Sequence, residues 1–91
     1  MKAEVGMKVK ASRSYCMGII IDKTEWNGEI VKVNAKSIRV LLTDTTSTSG
    51  SKVMNHRDGM NTEITYRFVK TLSSGRDWYR SESNLYGNIE L

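Results

Sequence analysis

Two runs of β-branched and aliphatic residues, at positions 29–33 and 38–42, stand on either side of Asn34-Ala35-Lys36-Ser37. A four-residue connection is a common way to join adjacent antiparallel strands. In that register Val33 lies opposite Ile38 and Val31 opposite Val40, all on one face. The other face then pairs Ile30 with Leu41 and Lys32 with Arg39. A slip of one residue would turn the whole apolar set toward water, so the turn and the pattern specify the same pairing. The centre of the chain is therefore committed to a β-hairpin, and the rest must cover its apolar face.

The flanking segments offer more strand of the same kind. Residues 5–11 alternate, with Val5, Met7, Val9 and Ala11 on one side and Lys8 and Lys10 on the other. Residues 17–23 predict a second strand, buried on both sides through Ile19-Ile20-Ile21, and Asn27-Gly28 reads as a hairpin turn because both residues tolerate positive φ. Over 63–72, Ile64, Tyr66 and Phe68 share one face, and Thr65, Arg67 and Val69 the other. Ser73-Ser74-Gly75 turns the chain into a short return strand at 76–80. Leu85, Gly87, Ile89 and Leu91 alternate once more, in a strand expected to pair with the first. Between these lies the tract Thr43-Asp-Thr-Thr-Ser-Thr-Ser-Gly-Ser-Lys52, too polar to bury and followed by an Asp58-Gly59 turn signal. It reads as a mobile Ser/Thr-rich loop over 43–61. Proline is absent, as is any sustained helical periodicity.

Ninety-one residues make one domain, 1–91. The pattern predicts an all-β fold, a single small barrel or strongly curved antiparallel sheet of six to seven short strands. A flat sheet of this size would leave two open edges, and closure removes them. Gly6-Met-Lys-Val9, Gly18-Ile-Ile-Ile21 and the stretch from Glu29 to Val40 give an order of hairpins that resembles an SH3-like barrel of the Tudor or KOW kind. The likeness covers about the first forty-two residues, and the 43–61 insertion leaves an OB-like barrel as the alternative. Barrels of this kind host many binding proteins, and their own side chains fill the interior.

Several chemistries are disfavoured. A single cysteine, Cys16, permits no internal disulfide, and one histidine, His56, leaves no common zinc pattern. Cys16 reads as a small buried hydrophobe and His56 as a solvated loop residue. Asp44, Asp58 and Glu63 match no calcium or magnesium spacing, and no glycine-rich phosphate loop occurs. The expectation is a non-enzymatic protein with no cofactor or metal. No apolar run exceeds three residues, so neither signal peptide nor membrane span is expected, and the chain reads as cytoplasmic.

The net charge is +4, and residues 1–40 carry eight Lys/Arg against four acids while the remainder is balanced. This asymmetry suggests a basic face on the first strands, formed by Lys8, Lys10, Lys32, Lys36 and Arg39 and suited to phosphate backbones. Lys32 opposite Arg39 is mildly repulsive unless a polyanion lies between them. Aromatic residues beside arginines form a second group: Trp78 and Tyr79 between Arg76 and Arg80, with Trp26 near its turn. Such rings serve base stacking or protein interfaces, although Trp78 and Tyr79, being adjacent on a strand, cannot both be buried. The primary expectation is a nucleic-acid-binding module. The alternative is a protein-interaction module binding an acidic surface, or a phage- or mobile-element-encoded inhibitor of a host protein. Self-association through a sheet edge is a further possibility.

Overall fold

The hairpin at 29–42 forms the centre of the sheet, with one change of register. Lys32 pairs with Arg39 and Val33 with Ile38, as the turn requires, but a bulge between Ile30 and Lys32 places Ile30, not Val31, opposite Val40. One extra residue exchanges the faces on that side of the bulge. Ile30, Ile38 and Val40 are fully buried and Val31 only partly.

The computed structural model describes residues 3–17, 20–50, 52–83 and 85–91, with the side chains of all of these except 15–17, 20, 21, 54, 55 and 58. The readings of Cys16 and of the Ile19-Ile20-Ile21 side chains lie outside the described residues. Among the described residues the chain forms six strands: β1 (Lys8–Met17), β2 (Ile20–Val33), β3 (Ser37–Ser49), β4 (Lys52–Thr71), β5 (Asp77–Ser81) and β6 (Asn88–Glu90). Each is antiparallel to the next, and β6 returns to β1 to close a barrel in chain order. This all-β closed barrel is compatible with a small SH3-like barrel, a likeness at the level of the fold.

Inward-facing residues of every strand make the core: Val9 and Ala11 of β1, Trp26 and Ile30 of β2, Ile38, Val40 and Leu42 of β3, Tyr66 of β4, Tyr79 of β5 and Ile89 of β6. Burying each of the larger ones stabilises the fold by about 1.5–3 kcal/mol. Ser73-Ser74-Gly75 makes the expected β4–β5 turn, with Gly75 at φ 86° and its N–H donating to the Leu72 carbonyl. At the N-terminal end the structure departs from the alternation. Met7 still packs on the core and its carbonyl accepts from the Ile30 N–H, but Gly6, at φ 92° and donating to the Ile30 carbonyl, turns the chain and leaves Val5 exposed. The strand expected over 17–23 is divided, since Met17 ends β1 and Ile20, its pairing partner, begins β2.

The loop read over 43–61 is instead the outer half of a long β3–β4 hairpin, Thr45 pairing with Arg57 and Ser49 with Lys52. Four strands continue past the barrel as an arm, formed by residues 13–17, 20–25, 44–49 and 52–58. Threonine suits a pleated strand, and hydroxyls paired across strands replace apolar contacts. Thr24 meets Ser47 at 3.4 Å, Thr46 meets His56 Nδ1 at 3.0 Å, and Asn27 donates to Asp44 at 2.6 Å.

The arm joins the barrel along a line of bulges. Between Asn27–Asp44 and Gly28–Leu42, β3 holds the additional residue Thr43. Opposite it, β4 inserts residues 59–61, with Gly59 at φ 72° and Asn61 at φ 47°. Neither Asn27-Gly28 nor Asp58-Gly59 is therefore a chain reversal. Gly28 is needed for close approach, since a Cβ there would lie 2.7 Å from Val40 Cγ1 and 2.8 Å from the Leu41 carbonyl.

Closure depends on another glycine. Gly87, at φ 72°, lies so near β1 that a Cβ would collide with the Ser12 carbonyl oxygen. Gly87→Ala combines that collision with left-handed strain, and a loss of about 2 kcal/mol or more is expected, roughly 10 °C in Tm. Gly75→Ala serves as the control. Its φ is also positive but its Cβ would meet nothing within 4 Å, so calorimetry should show about half the loss.

Burial, with Tyr86 alongside, raises the Tyr66 hydroxyl well above its ordinary value of 10.0; burial, and then Asp77, raises Tyr79. Both groups hold their protons to higher pH in the fold than in the unfolded chain, so this stability is intact below about pH 10 and lost as pH rises beyond it. Thermal midpoints should be governed by other groups up to about pH 10 and fall above it. Tyr66→Phe should lessen that fall, at the cost of about 1 kcal/mol at neutral pH for its hydrogen bond to the Tyr86 carbonyl.

Candidate nucleic-acid interface

The closing strand is only three residues long, and its pairing with β1 is the single match Ser12–Asn88. On the outside of this seam lies an open groove of about 490 Å³, walled by Lys8 and Lys10 of β1 and Lys23 and Glu25 of β2. The opposite wall carries Arg76 and Trp78, and the floor carries Ser12, Asn88 and Glu90. Four cations thus line the groove with two carboxylates, and a third, Glu29, lies against Lys8 at its rim, so cations remain in excess.

Outward alternation on β1 places Lys8 and Lys10 here. Lys8 Nζ lies 2.6 Å from Glu29, and Lys10 and Lys23 converge on Glu25 at 3.5 and 3.7 Å. Exposed pairs of this kind contribute at most about 1 kcal/mol each, so a phosphate can replace the carboxylate at little cost. The Glu25 carboxylate marks a point where two ammonium groups already converge on one anion.

Trp78 is half-buried and is the ring that the groove presents. Its indole carries two cations, the Arg80 guanidinium at 5.1 Å and Lys70 Nζ at 5.7 Å from the centroid. Lys70 stands directly across from Trp78 on β4, on the side of β5 away from the groove. Arg67 pairs with Arg80 across the same strands and binds Glu82 at 2.6 Å. The outer surface of β4–β5 is thus cationic around the ring.

The sequence-derived candidates therefore separate into three sets. Lys8, Lys10, Arg76, Trp78 and Arg80 come together at or beside the groove. Lys32, Lys36 and Arg39 lie elsewhere, on the β2–β3 hairpin. Arg39 there faces Glu63 at 3.6 Å, and Lys36 borders a shallow recess with Phe68 and Asp77. Trp26 and Tyr79 belong to the core, 5% and 0% exposed, and pack edge-on against Tyr86 and Phe68. They present no ring to a partner. For Trp26 the reason is the through-running β2 strand: without a turn at Asn27-Gly28, residue 26 points inward, opposite Ala11.

Lys23 and Lys70 were missed as candidates. Lys23 shares the outward parity of Glu25, but its nearness to Lys10 exists only once β1 and β2 pair. Among the described residues, no three His, Cys, Asp or Glu side chains gather to hold a metal ion, and no helix is long and apolar enough to cross a membrane. The chain matches no known protein family, and neither a curated protein nor a solved structure matches it.

The two tryptophans should be distinguishable in solution. Iodide should quench Trp78 and leave Trp26 dark to quencher, giving a two-component fluorescence plot. Trp78→Phe should abolish the accessible component.

Proposed function

We propose that this protein is a non-enzymatic nucleic-acid-binding module that grips the phosphate backbone in the groove over β6. The observation that carries the reading is the convergence of Lys8, Lys10, Lys23 and Arg76 around one half-buried indole. Elements far apart in sequence supply these groups, and only barrel closure brings them together. Cations spaced along an open furrow with an aromatic side chain suit a polyanion bearing flat bases. The burial of Trp26 and Tyr79 leaves Trp78 as the one of the three rings open to either reading, and the cations gathered around it favour a polyanion. A single cysteine accords with action in the reducing cytoplasm.

The reading is tested by fluorescence anisotropy with a labelled oligonucleotide. With about four phosphates neutralised, affinity should fall roughly 50- to 150-fold between 50 and 200 mM salt. Lys10→Glu with Lys23→Glu should weaken binding at least tenfold, whereas Lys32→Glu with Arg39→Glu should have a much smaller effect. Salt-independent binding, or a larger loss from the second pair, places the site elsewhere. Binding of polyglutamate as tight as that of the oligonucleotide would transfer the reading to an acidic protein surface.

A further inference from the structure

We infer that the groove takes nucleic acid as a single strand, with one base stacked on Trp78; the inference rests on the nucleic-acid reading above. Three observations define this occupant.

The first is shape. The cationic wall and the indole wall face one another across a three-residue strand, and the volume between them is about 490 Å³. That is within the range of pockets for small organic ligands, and suits a nucleotide or two. A duplex is a convex rod whose base faces are covered by their neighbours. It could touch the lysines at the rim, but it could bring a base face to Trp78 only by flipping a nucleotide out of the stack. An unpaired strand already has bases free to turn inward.

The second is the state of the ring. Trp78 lines the groove, while Lys70 from β4 and Arg80 from two residues along β5 lie over its ring, and a stacking base would take the place of one of these cations on the indole face. Both cations pack at the indole instead of reaching freely into solvent. A base entering from the groove meets a ring already fixed in place, so little side-chain entropy is lost on stacking. The same cations then stand beside the strand where its phosphates leave the stacked base.

The third is the arrangement of charge around the ring. Lys8, Lys10 and Lys23 lie on one side of the seam, and Arg76, Arg80 and Lys70 on the other. A backbone crossing the seam passes from one set to the other with the indole between them. The groove's other polar side chains are the short Ser12 and Asn88 and the acids Glu25 and Glu90, with Glu90 directly across from Trp78, so few neutral groups can bond a base edge and readout of base identity should be weak.

The test measures affinity, at one low salt concentration, for a single-stranded DNA oligonucleotide, the matching RNA, the blunt duplex and inorganic polyphosphate. These are compared for the wild type, Trp78→Phe and Trp78→Leu, with circular dichroism to verify folding. Both single strands should bind more tightly than duplex or polyphosphate of matched charge. Trp78→Leu keeps apolar bulk but removes the flat face, and should weaken single-strand binding by about 5- to 150-fold while leaving polyphosphate unchanged. Trp78→Phe should retain most of the affinity. If the leucine variant does not fold, wild-type fluorescence decides: single strands should quench the accessible tryptophan and polyphosphate should not. Equal affinity for duplex and single strand, or equal losses for single strand and polyphosphate in Trp78→Leu, would overturn the stacking inference and leave phosphate binding standing. Failure of every nucleic acid to bind at low salt would instead remove the nucleic-acid reading itself.

Discussion

The contact between Gly87 and the Ser12 carbonyl is the constraint on which the rest of this structure depends. A three-residue strand has few backbone hydrogen bonds with which to close a barrel. It succeeds because a residue without a side chain lets the two backbones approach. From that approach follow the burial of Ile89 beside Tyr79 and the seam along which the groove opens. The surface ion pairs are secondary by comparison. Each is exposed and contributes little, whereas a buried isoleucine or leucine contributes more than several of them together.

Much of the barrel was legible from alternation alone. The hairpin at 29–42 was legible because a short turn and an apolar face demanded the same register. The C-terminal strand could be assigned to β1 because an open sheet would leave an edge. What failed were the segments where one residue type serves two purposes. Ser/Thr-rich stretches suit both loops and solvated strands, and polarity at 43–52 outweighed the β-preference of threonine. Asn27-Gly28 has the composition of a reversal, yet its glycine makes room for Val40 and Leu41 inside a continuous strand. The bulge at Val31 left no mark in the pattern, since Ile30 and Val31 are equally suited to the core.

The site was legible in parts and not as a whole. Strand alternation turned Lys8 and Lys10 outward, and adjacency required Trp78 and Tyr79 to face opposite ways. Which ring went inward was decided by the pairing of β5 with both β4 and β6. The juxtaposition of Lys10 with Trp78 depends on closure between positions 12 and 88, nearly the full length of the chain apart. Local pattern carries no information about such a contact. The excess charge of the first forty residues was real but not one surface, because curvature sends the β1 lysines and the β2–β3 hairpin to different sides.

The irregular pairing at Thr43 separates two regimes of tolerance to insertion and deletion. Side chains alternate with a period of two, so adding or removing residue pairs at the arm's tips preserves which face every barrel residue occupies. Odd changes can be absorbed at the irregular pairing around Thr43 and residues 59–61 before they reach Leu42 or Ile64. The length of the β3–β4 part of the arm is thus uncoupled from the core, whereas β1 and β2 pair without a break from Met17–Ile20 to Lys8–Glu29 and tolerate only paired changes. Lys23 and Glu25 sit on the arm's base, below its tip, so the arm can change length while the groove keeps its shape.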